Sequence, residues 1–301
     1  MTKNLDELKI PKTLIFGTTG FIGKYLFNFY KSFFPDIPSF SRKNSNFDLE
    51  NLIFPSNDFL KEIKPTYAII SAAISKINIC EEDTKKAYKI NVTGTLKLIE
   101  FLTKNDITPI WFSSDYVFDG NVGSYSEESL TNPITEYGKQ KEILEKEIPK
   151  ITKGNHLIIR PGRVYSLNLD DKTIFSEIFS HLIEEKAYRA AKDQFFSLTY
   201  IEDLIRGIVK LQTMNARGIF HICAKEKINR YQLALIIADK LSLSMKNLFS
   251  IKLDDLEETF KRPKNTSMQN AKFYKSTNLE IRDINTILDL KKKEIYTSAY
   301  E

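Results

Sequence analysis

Short apolar runs alternate with longer segments of helical pattern along the first half of this 301-residue chain. The apolar runs are "TLIFG" at 13–17, "YAIISAA" at 67–73, "TPIWFSS" at 108–114 and "HLIIRPGRVY" at 156–165. Strand and helix in alternation are typical of βαβ units and predict a parallel sheet. The runs lack polar alternation, as expected where helices cover both faces of a sheet. We therefore predict an α/β fold with a Rossmann-type doubly wound parallel sheet and a smaller C-terminal α/β domain.

The segment after the first run has the periodicity of an amphipathic helix. Ile22, Leu26, Phe29 and Phe33 follow one another at spacings of four, three and four residues. We expect this face of the helix to pack on the sheet.

Composition excludes several classes of protein. A hydrophobic content of 42% with 28% charged residues indicates a folded globular chain, and the net charge of +5 comes from interleaved charges, so nucleic acid is not expected as a partner. The sequence contains neither a membrane-length apolar stretch nor a secretory signal pattern, so we expect a cytoplasmic protein and no membrane partner. Cys80 and Cys223 are isolated and are expected to be free, buried thiols, and the three separated histidines predict no metal site.

A glycine-rich loop follows the first predicted strand. "LIFGTTGFIG" places Gly17, Gly20 and Gly23 at G-x-x-G-x-x-G spacing, directly before the first predicted helix. In this context the first glycine permits a tight turn, the second lets a pyrophosphate approach the backbone, and the third allows close packing of helix on strand. We therefore predict a dinucleotide cofactor at this helix N-terminus.

In a dinucleotide-binding fold, a second strand is expected to end about 20 residues after the glycine loop, before the run at 67–73, and the residues at its end select the dinucleotide. An acidic side chain at this position would hold a ribose diol, but the chain has Ser41, Arg42 and Lys43. A guanidinium or ammonium suits a 2′-phosphate, so NADP(H) is favoured over NAD(H), although Arg42 also fits a solvated loop charge. Asp48 and Leu49 are candidates to line the adenine pocket. We assign residues 1–165 to an NADP(H)-binding domain and 166–301 mostly to a substrate domain, with part of 194–222 returning to the first.

Two further motifs carry candidate acid-base groups. In "FSSDYVFDG", Ser113 and Ser114 lie where a parallel strand ends, although a serine pair there also suits local backbone hydrogen bonds. In "TEYGKQKE", Tyr137 and Lys141 share one face of a predicted helix with Leu144. A tyrosine hydroxyl has a pKa near ~10, and a nearby cation would lower it enough for proton transfer. Y-x-x-x-K alone is common by chance, but its combination with the glycine loop and the strand-end serine is rare.

On these motifs the chain resembles an extended short-chain dehydrogenase/reductase, and more narrowly the dTDP-4-dehydrorhamnose reductase family. The similarity extends from about residue 13 to 265 and includes "GTTGFIG", "INVTGT", "SSDYVFDG", "YGKQK", "RPGRVY", "DQFFSLTYIEDL" and "RPKNT". The resemblance implies that Tyr137 donates a proton to a sugar oxygen while a nicotinamide delivers hydride to the adjacent carbon. It also implies that Lys141 binds the nicotinamide ribose and that Ser114 hydrogen-bonds the substrate carbonyl. Asn91 fits either a place near the active site or ordinary helix packing.

The resemblance implies two sets of binding residues. Those expected at the cofactor are Gly17, Thr19, Gly20, Phe21, Ile22, Gly23, Arg42, Asp48, Leu49, Ala72, Ala73, Asn91, Tyr137, Lys141 and Pro161. Those expected at the substrate are Ser114, Asp115, Tyr116, Arg163, Gln194 and Arg262. As partners we expect a nucleotide-sugar substrate and a second copy of the chain in a homodimer.

Two departures from the family bear on the substrate. Arg163 stands where the family usually presents a tryptophan against the sugar, so it contacts a polar group of the substrate or turns to solvent. Leu198 replaces a usual proline, so the loop with Gln194 is open to a different path. The resemblance implies NADPH-dependent reduction of a nucleotide-linked 4-keto-6-deoxy sugar for polysaccharide or glycan synthesis. The alternatives are an epimerase or dehydratase of the same superfamily, and a non-catalytic regulator like that of methionine adenosyltransferase.

Overall fold

The structure, a computed structural model, describes residues 9–44, 46–256 and 260–300, with side chains described as far as residue 292. Its strands are β1 (Thr13–Phe16), β2 (Tyr67–Ile70), β3 (Thr108–Phe112), β4 (Leu157–Pro161), β5 (Arg163–Tyr165), β6 (Tyr188–Ala191), β7 (Phe195–Tyr200), β8 (Gly218–Ile222), β9 (Lys227–Asn229) and β10 (Leu248–Ile251). Its α-helices are α1 (Phe21–Phe33), α2 (Asn57–Ile63), α3 (Ile77–Glu82), α4 (Thr84–Tyr88), α5 (Thr95–Lys104), α6 (Glu136–Thr152), α7 (Ile174–Ile183), α8 (Ile201–Thr213), α9 (Arg230–Lys240), α10 (Ala271–Thr277) and α11 (Ile284–Tyr300).

Contacts among the described residues form two compact units. The first unit lies within residues 1–117, 135–160 and 205–220, and the second lies within 118–134, 161–204 and 221–301. The sequence analysis placed the boundary at residue 165, whereas this division places 118–134 and 161–165 in the second unit. Residues 205–220 return to the first unit, within the 194–222 range expected to do so.

A five-stranded sheet of order β1-β2-β3-β4-β8 forms the centre of the fold. The pairs β1–β2, β2–β3 and β3–β4 are parallel, with Phe16 opposite Ile70 and Phe112 opposite Ile159. Every residue of β1, β2 and β3 is buried, as expected for strands covered by helices on both faces. The predicted Rossmann-type α/β fold is therefore confirmed.

The second strand predicted for the nucleotide fold is reduced to a single bridge. Phe40 forms a parallel bridge with Phe16 on the side of β1 away from β2, and a 3₁₀ turn over Arg42–Asn44 follows. The Phe40 and Phe16 rings stack with centroids 4.8 Å apart. The chain thus passes along one side of β1 before it returns to form β2 on the other, which is the connection of a doubly wound sheet.

Helix α1 forms where the periodicity predicts it but buries a different face. Gly23, Leu26 and Tyr30 are its buried residues, whereas Phe33 is 37% exposed. Tyr30 turns inward because its hydroxyl donates a hydrogen bond to the buried Gln212 side chain of α8. Of the predicted face, Leu26 is buried, Ile22 and Phe29 are half-buried and Phe33 is exposed, so the buried face is rotated from the predicted one towards Tyr30.

The apolar run "HLIIRPGRVY" forms two strands instead of one. The chain turns at Gly162, whose N–H donates to Thr199 Oγ1 at 2.9 Å. A Cβ at this position would lie 2.5 Å from the Ser197 carbonyl oxygen, so only glycine lets the two backbones approach so closely. After this turn β5 leaves the central sheet and pairs with β7 in a three-stranded sheet of order β5-β7-β9.

The second unit also contains a parallel pair of strands, β6 and β10. Cys80 and Cys223 are buried thiols that form no disulfide bond within the described part of the chain, as predicted. Among the helices of the described residues, none is long and apolar enough to span a bilayer.

Candidate active site

The glycine loop between β1 and α1 needs glycine at two positions for steric reasons. Gly17 has φ of +97°, and a Cβ there would lie 2.6 Å from the Ala72 backbone nitrogen. A Cβ on Gly23 would lie 2.1 Å from the Gly17 carbonyl oxygen. Because these obstacles are backbone atoms, the loop holds β1, α1 and the segment after β2 in one close arrangement.

The N-terminus of α1 is suited to an anion. Gly20 precedes the helix in an extended conformation, no side chain among the described residues caps it, and its first turn contains no acidic residue. The first N–H groups of a helix have no intrahelical acceptor, and the helix dipole favours negative charge beside them. This end of α1 is therefore a site where backbone groups can bind phosphate oxygens.

A cavity of about 210 Å³ lies beside this loop, and we call it the glycine-loop cavity. It is lined by Gly17, Thr19, Gly20, Ser41, Arg42, Phe47, Asp48, Leu49, Ser71, Ala72, Ala73, Ile74 and Ile90. The residues that the sequence predicts at the cofactor and that line this cavity are Gly17, Thr19, Gly20, Arg42, Asp48, Leu49, Ala72 and Ala73. The others lie outside this lining, and they are Phe21, Ile22, Gly23, Asn91, Tyr137, Lys141 and Pro161.

Polar groups at one end of the cavity fit the adenosine end of a dinucleotide. Ser41 Oγ is buried and has no hydrogen-bond partner among the described residues. The neighbouring Arg42 is exposed and forms loose ion pairs of 3.7 Å with Asp48 and with Glu50. Asp48 also accepts the Glu50 N–H at 2.8 Å, and this hydrogen bond and its neighbours lower the pKa of Asp48 against the opposing effect of its partial burial. An unsatisfied hydroxyl and a guanidinium held at the cavity edge can receive a phosphate or a ribose hydroxyl.

Ser113 and Ser114 follow β3 at the carboxyl end of the sheet, but their side chains have different partners. The Ser113 hydroxyl donates to the Glu145 carboxylate. Ser114 Oγ donates to Asp115 Oδ1 at 3.0 Å and accepts the Tyr116 N–H at 3.2 Å. Both serines are buried, so their hydroxyls are held by these partners and not by bulk water.

Helix α6 carries Tyr137 and Lys141 to the same region of the first unit. Thr135 caps the helix by accepting the Gly138 N–H at 3.1 Å, which fixes where the first turn begins. The Tyr137 ring lies edge-on to the Tyr116 ring with centroids 6.3 Å apart. Ser114 is also close enough to Tyr137 to lower the pKa of its hydroxyl. The strand-end serine and the helical tyrosine predicted from separate motifs therefore lie in the same region of the first unit.

Lys141 points into the protein from the same helix face. Its Nζ donates to the Phe112 carbonyl oxygen at 2.7 Å, lies 4.5 Å from the centre of the Trp111 ring and lies 5.5 Å from the centre of the Tyr137 ring. Lys141 is only 4% exposed, and this burial lowers its pKa to about 7, against the opposing effects of Cys80 and, more weakly, Glu145. The amine is thus held at a fixed point between the end of β3 and the tyrosine.

The pKa of Tyr137 does not shift in the direction expected from the sequence. Burial raises the pKa of the Tyr137 hydroxyl well above its ordinary value of 10.0, and the negative charge of Asp115 raises it further. The hydrogen bond with Ser114 acts in the opposite direction but is the smaller effect. The expectation that the neighbouring lysine lowers this pKa is therefore wrong for the chain by itself, because desolvation of the hydroxyl dominates.

Asn91 lies in a π-helical turn, Lys89–Gly94, between α4 and α5. Its side-chain oxygen accepts the Ile74 N–H at 2.8 Å, and its Nδ2 donates to the Ile74 carbonyl at 3.0 Å and to Gln140 Oε1 at 2.8 Å. Ile74 lines the glycine-loop cavity and Gln140 precedes Lys141, so Asn91 connects the cavity wall to α6. Single π-helical turns occur frequently at functional sites.

The remaining residues predicted at the cofactor or substrate belong to the second unit, except Asp115 and Tyr116, which follow Ser114 in the first. Pro161 ends β4 and is buried, and Gln194 is 4% exposed directly before β7. Arg163 in β5 places its guanidinium 4.5 Å from the centre of the Phe196 ring, so it stacks on an aromatic side chain. Leu198 continues β7 opposite Arg163, which shows that the missing proline leaves a regular strand here. Arg262 is partly buried in the segment before α10.

Sequence reasoning missed three polar residues of this region. They are Gln140, Glu145 and Arg160. Two features of the sequence could have indicated the buried pair. Glu145 follows Lys141 by four residues, and Arg160 lies inside the apolar run that forms β4.

Comparison with known proteins identifies the family. Residues 11–294 match the family model described as RmlD substrate binding domain. The chain belongs to the RmlD substrate binding domain family. This confirms the relationship to dTDP-4-dehydrorhamnose reductase-like members of the extended short-chain dehydrogenase/reductases that the sequence motifs predicted.

Two known proteins and one solved structure are similar to most of the chain's length. Methionine adenosyltransferase 2 subunit beta of Danio rerio is 26% identical over 278 residues, which cover 88% of this chain and 85% of that protein. Spore coat polysaccharide biosynthesis protein SpsK of Bacillus subtilis is 28% identical over 236 residues, 78% of this chain and 81% of that protein. The crystal structure of dTDP-4-dehydrorhamnose reductase from Bacillus anthracis in complex with NADP superposes with a TM-score of 0.84 at 23% identity, covering 95% of this chain and 99% of that one. The last similarity concerns the fold.

Proposed function

We propose that this protein is an NADPH-dependent reductase of a nucleotide-linked 4-keto-6-deoxy sugar, with Ser114, Tyr137 and Lys141 as its catalytic residues. The observation that carries the proposal is the geometry at the end of β3, where the Tyr137 ring lies edge-on to Tyr116, two residues after Ser114, and the Lys141 amine lies 5.5 Å from the tyrosine ring. A hydroxyl pair and a cation gathered in this way suit a carbonyl oxygen that gains negative charge.

Each side chain has a definite task in this proposal. The Tyr137 hydroxyl holds its proton at neutral pH, where burial raises its pKa still further above ambient pH, so it can donate a proton to the substrate oxygen. Ser114 offers a second hydrogen bond to the same oxygen once its own bond to Asp115 is exchanged. Lys141, held by the Phe112 carbonyl, supplies positive charge behind the tyrosine. NADPH, when bound, supplies the hydride.

The residues of the glycine-loop cavity fit such a cofactor. The uncapped N-terminus of α1 would hold the pyrophosphate, while Ser41 and Arg42 would hold the 2′-phosphate of the adenosine ribose. The NADP complex of the related Bacillus anthracis reductase supports the choice of cofactor. SpsK, which takes its name from spore coat polysaccharide biosynthesis, supports a role in glycan precursor synthesis.

The test mixes the purified protein and NADPH with dTDP-, GDP- and UDP-linked 4-keto sugars and follows the absorbance of the reduced cofactor. We expect oxidation of NADPH with one sugar and its loss in Tyr137→Phe, which keeps the ring and removes the proton donor. Fluorescence titration with NADPH serves as the control, because the variant should bind the cofactor as the wild type does. Turnover of the sugar without net oxidation would indicate an epimerase and contradict the proposal.

A second candidate function follows from the relatives. Methionine adenosyltransferase 2 subunit beta is similar over 88% of the chain, which favours a regulator that binds a dinucleotide without reducing a sugar. Tight NADPH binding, no oxidation with any sugar of the panel, and co-purification with a methionine adenosyltransferase catalytic chain would support that function instead.

A further inference from the structure

A buried carboxylate lies one helical turn beyond Lys141. Glu145 is 7% exposed and Arg160, in β4, is 2% exposed. Arg160 donates to both carboxylate oxygens of Glu145, at 2.7 Å from Nε and 2.5 Å from a terminal nitrogen. The Ser113 hydroxyl donates to the same carboxylate. Glu145 is thus saturated by a bidentate arginine and a serine, and the reaction proposed above uses none of these three side chains.

These contacts form a closed ring across three elements of the first unit. On α6, Lys141 binds the carbonyl of Phe112 and Glu145 binds the side chain of the next residue, Ser113. The Ser113 N–H donates to the Ile159 carbonyl at 2.8 Å, and Ile159 directly precedes Arg160. The residue after Ser113 is Ser114. The helix that presents Tyr137 and the strand end that presents Ser114 are therefore joined by hydrogen bonds at consecutive residues.

The same ring determines the charges around Lys141. Besides Glu145 on its own helix, the ionisable groups that face the amine are Tyr137 of α6 and Cys80 of α3. Burial raises the pKa of Cys80 to about 11 and that of Tyr137 further, so both are neutral at pH 7. Asp115 acts on Tyr137, and Arg160 lies on the far side of the Glu145 carboxylate. Among the groups that act on the buried amine, Glu145 is the carboxylate, one helical turn further along α6.

Stability alone is a weak reason for such an ion pair. Replacing a buried pair by apolar side chains is often neutral for stability, because desolvation cancels most of the attraction. A role in positioning Lys141 and in keeping its amine charged gives a reason for a carboxylate at position 145 of α6.

We propose that Glu145 is a positioning residue: clamped by Arg160 and Ser113, it fixes the turn of α6 that carries Lys141 against the end of β3 and keeps the Lys141 amine charged. This inference rests on the proposed catalytic role of Lys141. Arg160 acts through Glu145, because its guanidinium binds the same carboxylate and partly neutralises the negative charge that acts on Lys141.

The test measures the ionisation of Lys141 directly and needs no turnover. The protein is labelled with ¹³C-lysine, the Lys141 Cε resonance is assigned from its loss in Lys141→Met, and its shift is followed as a function of pH. Glu145→Gln should lower the midpoint by roughly 1 to 2 pH units, because the opposite charge is removed and Arg160 remains. Arg160→Gln should raise the midpoint, because the carboxylate then faces Lys141 with its full charge. Glu145→Asp keeps the charge and should retain a midpoint near that of the wild type.

A matched control separates charge from general damage. Asp203 of the second unit is also fully buried and accepts hydrogen bonds from Arg282 at 2.6 and 2.9 Å, so Asp203→Asn breaks a comparable ion pair elsewhere. It should lower the melting temperature without moving the Lys141 midpoint. Shifts of the same sign in Glu145→Gln and Arg160→Gln, or an unchanged midpoint in Glu145→Gln, would overturn the proposal. If Glu145→Gln does not fold, Arg160→Gln alone tests the proposal: an upward shift of the Lys141 midpoint supports it, and an unchanged or lowered midpoint overturns it.

Kinetic measurements then test whether the hydrogen-bonded ring of Glu145, Ser113 and Arg160 affects the reaction. In the active enzyme, the alkaline limb of the pH profile of kcat should move with the Lys141 midpoint in each variant. A protein that titrates as expected but reduces no sugar would refute the proposed function and leave the electrostatic role of Glu145 intact.

Discussion

Replacing Lys141 with methionine removes a buried amine while keeping an unbranched side chain of similar length. Burial lowers the pKa of Lys141 from its ordinary value of 10.5 to about 7. Between these two values the unfolded chain carries a proton at Lys141 that the folded chain does not. The free energy of unfolding of the wild type therefore rises with pH through this window, by about 1.4 kcal/mol per pH unit from this group.

The burial and the hydrogen bond of the Lys141 amine determine how much the substitution changes the free energy of unfolding. The full shift corresponds to about 5 kcal/mol of charge burial that Lys141→Met avoids at pH 7 and below. The substitution also leaves the Phe112 carbonyl without its donor, which costs about 2 kcal/mol at every pH. We therefore expect Lys141→Met to be more stable than the wild type by about 3 kcal/mol near pH 6 and less stable by about 1 to 2 kcal/mol near pH 10.

Urea denaturation at intervals from pH 6 to 10 checks this crossover. Trp111 is the single tryptophan of the chain and packs beside Lys141, so its fluorescence reports the unfolding of the first unit. Taking the difference in unfolding free energy between the two proteins removes the contributions of the other titrating groups. Parallel curves of unfolding free energy against pH for wild type and variant would refute the reasoning, because they would mean that Lys141 keeps its proton when folded.

Two further predictions concern the glycine-loop cavity. Gly23→Ala should destabilise the fold by about 1 to 3 kcal/mol, because the new Cβ would lie 2.1 Å from the Gly17 carbonyl oxygen and the helix must move away. Thermal denaturation measures this, and Gly20→Ala is the control, since its Cβ would lie at 3.4 Å from the same atom and should leave the melting temperature nearly unchanged. Arg42→Ala should weaken NADPH binding several-fold, up to about tenfold, and leave NADH binding unchanged, because only NADPH presents a 2′-phosphate to the guanidinium. Calorimetric titration with both cofactors checks it, and equal losses for the two would contradict a phosphate contact.

The sequence predicted those parts of the fold that depend on local rules. The apolar runs became β1, β2, β3 and β4 because a strand buried on both faces is apolar at every position. The glycine spacing predicted the loop before α1 because steric clashes at Gly17 and Gly23 leave no choice of residue. The position of Ser114 followed from a similar rule, since the carboxyl ends of parallel strands lie at one edge of the sheet.

Interactions between distant elements were not predictable in the same way. Tyr30 lies on the buried face of α1 in place of Phe29 because its hydroxyl reaches Gln212, 182 residues further along the chain. Glu145 and Arg160 are buried as a pair, although each one by itself suggests an exposed position. A charged residue reveals its partner only when the packing of helix on sheet is known.

The opposite pKa shifts of Tyr137 and Lys141 bear on the direction of the reaction. Oxidation of an alcohol needs a tyrosinate that accepts a proton, whereas reduction of a ketone needs a tyrosine that still holds one. Burial raises the pKa of Tyr137 and lowers that of Lys141 to about 7, so near neutral pH the tyrosine holds its proton and the lysine is partly charged. Two groups whose surroundings push their pKa values apart have separate tasks, one as proton donor and the other as charge. We therefore expect the proposed reductase to run faster towards the hydroxyl sugar near neutral pH, with the reduction rate falling as Lys141 loses its proton.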